Sequence, residues 1–415
     1  MLMKLATRSL NNRRGSVLLT VLAMTVGIFV LLGVEHIRHQ AKESFANTVS
    51  GVDLIVGART GSLNLLLYSV FRIGAPTNNI SWESYEDIAS DRNVEWAIPI
   101  SLGDSHKGYR VMGTSSAYFE HFSYGNKRKL ELAEGVPFES VLDVVLGSDV
   151  ATSLGYGIGD ELVLAHGLAA TSFSMHDNLP FTVVGILSPT GTPVDQTLHV
   201  QLEGIEAIHL GWSQGVQLPG REVQANQLDG VELKPETITA FMLGLKSRIA
   251  TFGVQRAINE YPEEPLTAIL PGVALSELWQ MMGIIEDILR LISILILIAA
   301  LSGLSAMLLA SIRERDHEIQ LLRVIGAPPG FLFLLIELEA VLISVISILL
   351  AATLLMLTIV SIEDLLANQF GMHLSPQILS QSSLVMLAVI VVLTVIAAGI
   401  PSLNAYRSGR AGLHR

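Results

Sequence analysis

The 415-residue chain is half hydrophobic, only 15% of it is charged, and its mean hydropathy is +0.51. That excludes an ordinary water-soluble protein and points to a membrane protein with a soluble part. A formal net charge of −12 argues against nucleic acid as a partner, and the absence of cysteine rules out disulfides and thiolate metal sites.

Residues 1–14 read as a short amphipathic helix, with Leu2, Leu5, Ala6, Ser9 and Leu10 on one face and Lys4, Arg8, Arg13 and Arg14 off it. Such a helix lies in the membrane interface; a basic flank to the first span explains the same charges. Residues 15–36 form the first expected span, since 15–34 carry no charge and about 20 apolar residues cross a bilayer core. The run is long, and the following E-H-I-R-H-Q offers no small-x-small cleavage site, so it reads as an uncleaved anchor.

Residues 37–282 form the next, soluble segment. Helical periodicity (Ile37, Ala41, Phe45, Val49) extends the first span outward as a stalk. Strands are expected at 51–59, 94–101, 109–114, 141–147, 157–165, 180–187, 237–245 and 265–270. Helices are expected at 82–90 after Ser81, at 148–154 before Gly155, at 204–211 and at 247–260. The apolar L-N-L-L-L-Y-S-V-F after Thr60 belongs to a core or an interface. Residues 190–193 read as a turn-rich break and 214–226 as a loop. The segment is thus mixed α+β, and its length exceeds the common domain size of ~100–150 residues, so two sub-lobes are expected. Residues 275–291 read as a second stalk helix with Leu278, Met281, Met282, Ile285, Ile288 and Leu289 in one stripe.

Three further spans follow, at 283–312, 331–362 and 383–404. Between the first two lies a charged segment, 313–330, written R-E-R-D-H-E-I-Q-L-L-R-V-I-G-A-P-P-G. As a helix it places Ile319, Leu322 and Ile325 on one edge, and Gly326 with Pro328–Pro329 stops it. An ordinary charged loop is the other reading of the same residues. Glu337 and Glu339 lie early in the third span, where a headgroup-level position or pairing across a dimer suits them better than a proton relay. The loop 363–382 holds no Lys or Arg, and 405–415 is a basic tail.

Positive residues set the orientation. With four spans, both termini and the 313–330 loop share one side, and that side holds Lys4, Arg8, Arg13, Arg14, Arg313, Arg315, Arg323, Arg407, Arg410 and Arg415. The soluble segment then lies outside, with 15 Lys or Arg against 28 Asp or Glu, a net of −13. The expectation is an N-in, C-in, multi-pass protein of a bacterial inner membrane with its large domain in the periplasm.

This pattern resembles the MacB/FtsX-type permeases of ABC transporters. The segment 313–327 resembles the family's R-x-x-E-I-x-x-x-R-x-x-G-A pattern, with Arg315, Glu318, Ile319, Arg323, Gly326 and Ala327 on it. E-L-E-A-V-L-I-S at 337–344, L-G-S-D-V-A-T-S-L-G-Y-G-I-G-D-E-L at 146–162, and Pro401 with the basic tail resemble other parts of the family. The resemblance implies an α-helical membrane protein with four transmembrane helices and a large mixed α+β extracytoplasmic domain between helices 1 and 2, with a porter-like and a β-rich lobe. It implies a homodimer or a paired permease. It makes Arg313, Arg315, Glu318, Ile319, Leu322, Arg323, Gly326 and Ala327 the segment that couples to an ATPase. MacB itself carries that ATPase on its own chain. Here no G-x-x-x-x-G-K-[ST] loop occurs, and the first span follows Arg14 almost directly. The implied engine is a separate ABC ATPase that binds ATP and Mg, as in the Lol lipoprotein-release system, with a periplasmic or lipoprotein cargo. The alternatives are an FtsX-like regulator of an envelope enzyme and a component of a zinc-linked periplasmic trafficking system, which some MacB-like permeases resemble.

No catalytic motif stands out. Among the histidines, His166, His176 and Asp177 could supply imidazole and carboxylate ligands, and His36 and His39 share a helix face. No H-x-x-x-H spacing occurs. Scattered surface histidines are the simpler expectation, with no metal or other cofactor bound by this chain.

Overall fold

The structure is a computed structural model that describes residues 2–167, 176–210, 212–213, 216–217, 228, 231, 233–314, 328–370 and 380–411. Of the 313–330 segment expected to couple to an ATPase, Arg315 to Ala327 therefore lie outside the described residues, and of the residues named for coupling only Arg313 falls within them.

The chain divides into two compact units, one of 1–40, 282–364 and 374–415 and one of 41–281 and 365–373. The first is built from four helices long and apolar enough to cross a membrane: α2 (Arg14–Asn47), α8 (Pro271–Glu314), α9 (Pro329–Phe370) and α10 (Gln381–Ala411), preceded by α1 (Leu2–Asn12). Each buries one apolar stripe, such as Met24, Ile28 and Leu32 on α2 or Leu304 and Leu308 on α8, and leaves the rest of its aliphatic surface outward. That outward surface suits lipid, which is as apolar as leucine, so helix association depends on close packing and hydroxyl bonds. Among the described residues Ser305 Oγ donates to the Ala397 carbonyl at 2.8 Å, Ser347 Oγ to the Val21 carbonyl at 3.3 Å, and Thr394 Oγ1 to Ser344 Oγ at 3.2 Å. Glu339 is buried within this bundle at 2% exposure, which removes it from pairing across a dimer. On α1 the buried residues are Ala6 and Ser9, both on the face expected from sequence. Arg13 donates from Nη2 to the Ser311 carbonyl at 2.7 Å, so the basic N-terminal flank is tied to the end of the described part of α8.

The second unit is a mixed α/β domain inserted between the first two membrane helices. Its sheet strands, in chain order, are β1 (Leu54–Ala58), β2 (Val94–His106), β3 (Tyr109–Thr114), β4 (Leu132–Gly135), β5 (Asp143–Leu146), β6 (Glu161–Leu162), β7 (Ala165–His166), β8 (Phe181–Leu187), β9 (Thr197–Gln201), β10 (Ala240–Leu245) and β11 (Leu266–Ile269). They form one 11-stranded sheet in the order β11–β1–β10–β2–β3–β9–β5–β8–β4, with β7 on β2 and β6 on β8. The two expected lobes thus share a sheet. β2 joins them: its first half pairs with β10 from Val94 to Ile100, and its second half pairs with β3 from Ser101 to His106. The β2–β3 ladder shifts register between Leu102 and Ser105, an irregularity of the bulge type that bends a strand locally.

Local chemistry explains the covering helices. α3 (Ser62–Ser69) buries Leu65, Leu66 and Tyr68, so the apolar run after Thr60 is core. α4 (Trp82–Ala89) starts where Ser81 Oγ accepts from the Ser84 N–H at 3.2 Å. α5 (Ser148–Leu154) ends at Gly155 with φ +70°, a left-handed C-cap that glycine adopts without strain. α6 (Leu202–His209) lies on the sheet through Leu202, Ile205, Ala207 and Ile208. Gly204 permits that contact, because a Cβ there would sit 2.4 Å from the Val141 carbonyl and 2.9 Å from the Phe181 ring. α7 (Thr251–Asn259) covers the other half through Val254 and Ile258.

Two expectations need correction. The break at 190–193 is followed by a strand, β9, that sequence reading did not identify; it is central, parallel to β3 and antiparallel to β5. The break itself is a cage around Asp195, whose buried carboxylate accepts from the Thr190 N–H at 2.9 Å and the Gly191 N–H at 2.7 Å. The helix expected at 204–211 is α6 and starts two residues earlier. Most of the loop expected at 214–226 lies outside the described residues.

Candidate functional site

A cluster of four chemistry-bearing side chains sits where the second half of β2, β7 and α6 meet. Asp104 and His166 are direct cross-strand partners in the β2–β7 ladder, beside Ser105 opposite Ala165. Two further bonds hold that short ladder, His106 Nδ1 with the Val163 carbonyl at 2.6 Å and the Gly167 N–H to the Gly103 carbonyl at 3.1 Å. His176 is brought beside that strand by its own backbone, whose N–H donates at 3.0 Å to the carbonyl of Leu164, the residue before β7. His209 is the last residue of α6, delivered by the helix that packs over β9 and β3.

The side chains converge on one carboxylate oxygen. Asp104 Oδ1 lies 3.0 Å from His166 Nδ1, 3.7 Å from His209 Nε2 and 4.0 Å from His176 Nε2. The three imidazoles enclose a small volume, with ring centroids 4.5 Å apart for His166 and His209, 4.8 Å for His166 and His176, and 5.1 Å for His176 and His209. One donor atom from each of the four residues lies within 4.8 Å of every other. Asp104 is 3% exposed and His176 4%. These approaches miss hydrogen-bond geometry, so the buried Asp104 Oδ1 and His209 Nε2 atoms have no hydrogen-bond partner among the described residues.

Electrostatics follow from that packing. Burial alone would raise the Asp104 pKa, but the His166 and His209 imidazoles outweigh it and hold the carboxyl well below the usual carboxylate range. Burial pushes His176 down to about 4, despite the attraction of Asp104, and the other two imidazoles push the same way. His209 moves the other way: burial lowers it, yet Asp104 and then Glu206 raise it overall. A deprotonated carboxylate with imidazole nitrogens facing it is a donor set suited to a divalent ion.

The expectation of scattered surface histidines does not survive here. His166 and His176 come together, but with Asp104 rather than Asp177, which is exposed and outside the cluster. Sequence reading singled out neither His209 nor Asp104. The other histidines have separate surroundings. His106 bonds to Tyr156, His121 stacks on Trp96, and His199 is fully buried beside Tyr118. His36 and His39 join no such group among the described residues.

Comparison with known proteins addresses the whole chain. The family model for a MacB-like periplasmic core domain matches residues 17–260, and that for an FtsX-like permease C-terminal domain matches residues 290–409. The periplasmic region of MacB from Actinobacillus actinomycetemcomitans aligns at 10% identity and a TM-score of 0.34, over 56% of this chain and 94% of that one. The extracellular domain of the noncanonic ABC-type transporter YknZ from Gram-positive bacteria aligns at 11% identity and a TM-score of 0.29, over 52% of this chain and 98% of that one. A search of curated proteins finds no match.

Proposed function

This chain belongs to the MacB/FtsX-type permeases of ABC transporters, and from that membership we propose that it passes the ATP-driven motion of a separate ATPase to its inserted domain. The work done there is export or release of a periplasmic or lipoprotein cargo. The observation that carries the reading is the pairing of a MacB-like core domain with an FtsX-like permease end in 415 residues that hold no phosphate-binding loop. Charge supports the orientation, with basic residues at 1–14, 313–330 and 405–415 and an acidic inserted domain. ATP and Mg then act in the partner, on the inner face, against Arg313, Arg315, Glu318, Ile319, Leu322, Arg323, Gly326 and Ala327. The described part of that inner region fits the role: Arg13 grips the Ser311 carbonyl just before the coupling segment begins, so a push on that segment reaches α1 and α2 directly.

Two copies of the permease, or this permease and a paired one, complete the assembly. Purification of the full-length chain from its own membrane tests the proposal. An ABC ATPase and a lipoprotein or periplasmic protein are expected to copurify. Recovery of an envelope hydrolase in place of cargo would instead make this chain a regulator.

A further inference from the structure

We propose that the inserted domain binds a divalent first-row transition-metal ion, of the Zn²⁺ class, through Asp104, His166, His176 and His209. The inference goes beyond the permease reading and does not depend on it, since it concerns only the inserted domain's own side chains.

Geometry is the first argument. Zinc bonds to imidazole nitrogen and carboxylate oxygen are ~2.0–2.2 Å long, so the edges of a four-coordinate site are about 3.3–3.6 Å. The distances from Asp104 Oδ1 to the three ring nitrogens, 3.0, 3.7 and 4.0 Å, bracket that edge. All four donors already fall within 4.8 Å of one another, so side-chain adjustments of an ångström or less complete the shell.

Satisfaction is the second. A carboxylate oxygen at 3% residue exposure with no hydrogen-bond partner among the described residues is costly, and so is the buried Nε2 of His209. A bound cation satisfies both at once. An Asp–His network without an ion leaves His209 and His176 unengaged by that oxygen, because separations of 3.7 and 4.0 Å are too long for hydrogen bonds and only His166, at 3.0 Å, comes within reach of it.

Ligand type selects the ion. Three imidazoles and one carboxylate suit Zn²⁺ and its neighbours, whereas Mg²⁺ and Ca²⁺ require six or more oxygens. Four protein ligands fill a tetrahedral shell, so the site holds an ion rather than activating a water. Its ligands come from β2, from β7, from His176, whose N–H bonds to Leu164 just before β7, and from the end of α6. Occupancy therefore fastens α6 to the sheet and makes this half of the inserted domain responsive to metal.

The test uses the full-length protein in detergent, stripped with a strong chelator and then titrated with Zn²⁺ alone, with Co²⁺ in parallel. One tightly held Zn²⁺ per chain should survive gel filtration and raise the thermal unfolding temperature. Co²⁺ should give the intense visible absorption of a four-coordinate site. His166→Ala and His209→Gln should each weaken binding by more than about 100-fold, beyond the ~10–100-fold that losing an outer-shell partner costs. Both histidines are partly exposed, so the metal-free variants should still fold and unfold cooperatively, at or a little below the temperature of the metal-free parent. Asp177→Ala should bind as the parent does. Failure of the parent to retain zinc, or equal retention by both histidine variants, would overturn the proposal whatever becomes of the permease reading.

Discussion

His199 shows how one residue ties the inserted domain to pH. It lies fully buried on the central strand β9, against Tyr118, with Nδ1 3.3 Å from the Val145 carbonyl. Burial, with the Arg72 guanidinium adding to it, pushes its pKa down to about 3, so it stays neutral when folded. The unfolded chain takes up that proton below pH ~6.5. Its stabilising contribution is therefore full above pH ~6.5 and is lost as pH falls from there towards 3, at about 1.4 kcal/mol per unit. Denaturant unfolding at pH 6.5 and pH 5 should show the parent losing about 2 kcal/mol more than His199→Leu; equal losses would contradict the assignment. At this scale the candidate metal site was half legible. His166 and His176 are close in sequence and flagged themselves as ligands. Asp104 and His209 did not, because what joins them is a cross-strand register and the end of a helix, and neither leaves a spacing in the chain. Asp177 was chosen for its nearness to His176, but the residue beside a buried ligand in sequence points elsewhere in space.

Among the elements, those with a chemical start or stop could be read from the chain. Ser81 predicted α4 and caps it, and Gly155 predicted the end of α5 and takes the left-handed conformation there. Ser81 also accepts no substitute easily, since its Oγ donates to Glu264 Oε2 at 3.1 Å while capping Ser84. Ser81→Ala should cost about 1 kcal/mol in denaturant unfolding, and no loss would mean the cap carries no load. β9 was missed for a physical reason. T-L-H-V-Q is five residues long, follows a turn-rich break, and has polar residues at both ends. Its burial on both faces depends on β3 and β5, which lie far away in the chain. A short strand buried by distant partners has no period of its own to display. The membrane helices were plain because lipid demands ~20 apolar residues in a row from each helix by itself. Their ends were less plain. α8 begins at Pro271, because the stalk expected at 275–291 and the span after it are one unbroken helix.

For the molecule as a whole, family membership makes it a MacB/FtsX-type permease, and charge suggests which way it faces. The chain has no cysteine, so single cysteines report sidedness without background. In intact inner-membrane vesicles of known orientation, Glu134→Cys, exposed on the inserted domain, should react only from the periplasmic side. Gln320→Cys, in the 313–330 segment, should react only from the cytoplasmic side. Reversed labelling would invert the topology and detach the basic segment from any ATPase. The central claim is that motion generated by another protein enters through that segment and leaves through the inserted domain. It is tested most directly by measuring ATP hydrolysis and cargo release together, in the complex of this chain with its copurified ATPase. Glu318→Lys and Gly326→Pro are predicted to abolish cargo release while the inserted domain keeps its parental unfolding temperature and ATP hydrolysis persists without responding to cargo. Cargo release at the parental rate per ATP in both variants would contradict the account.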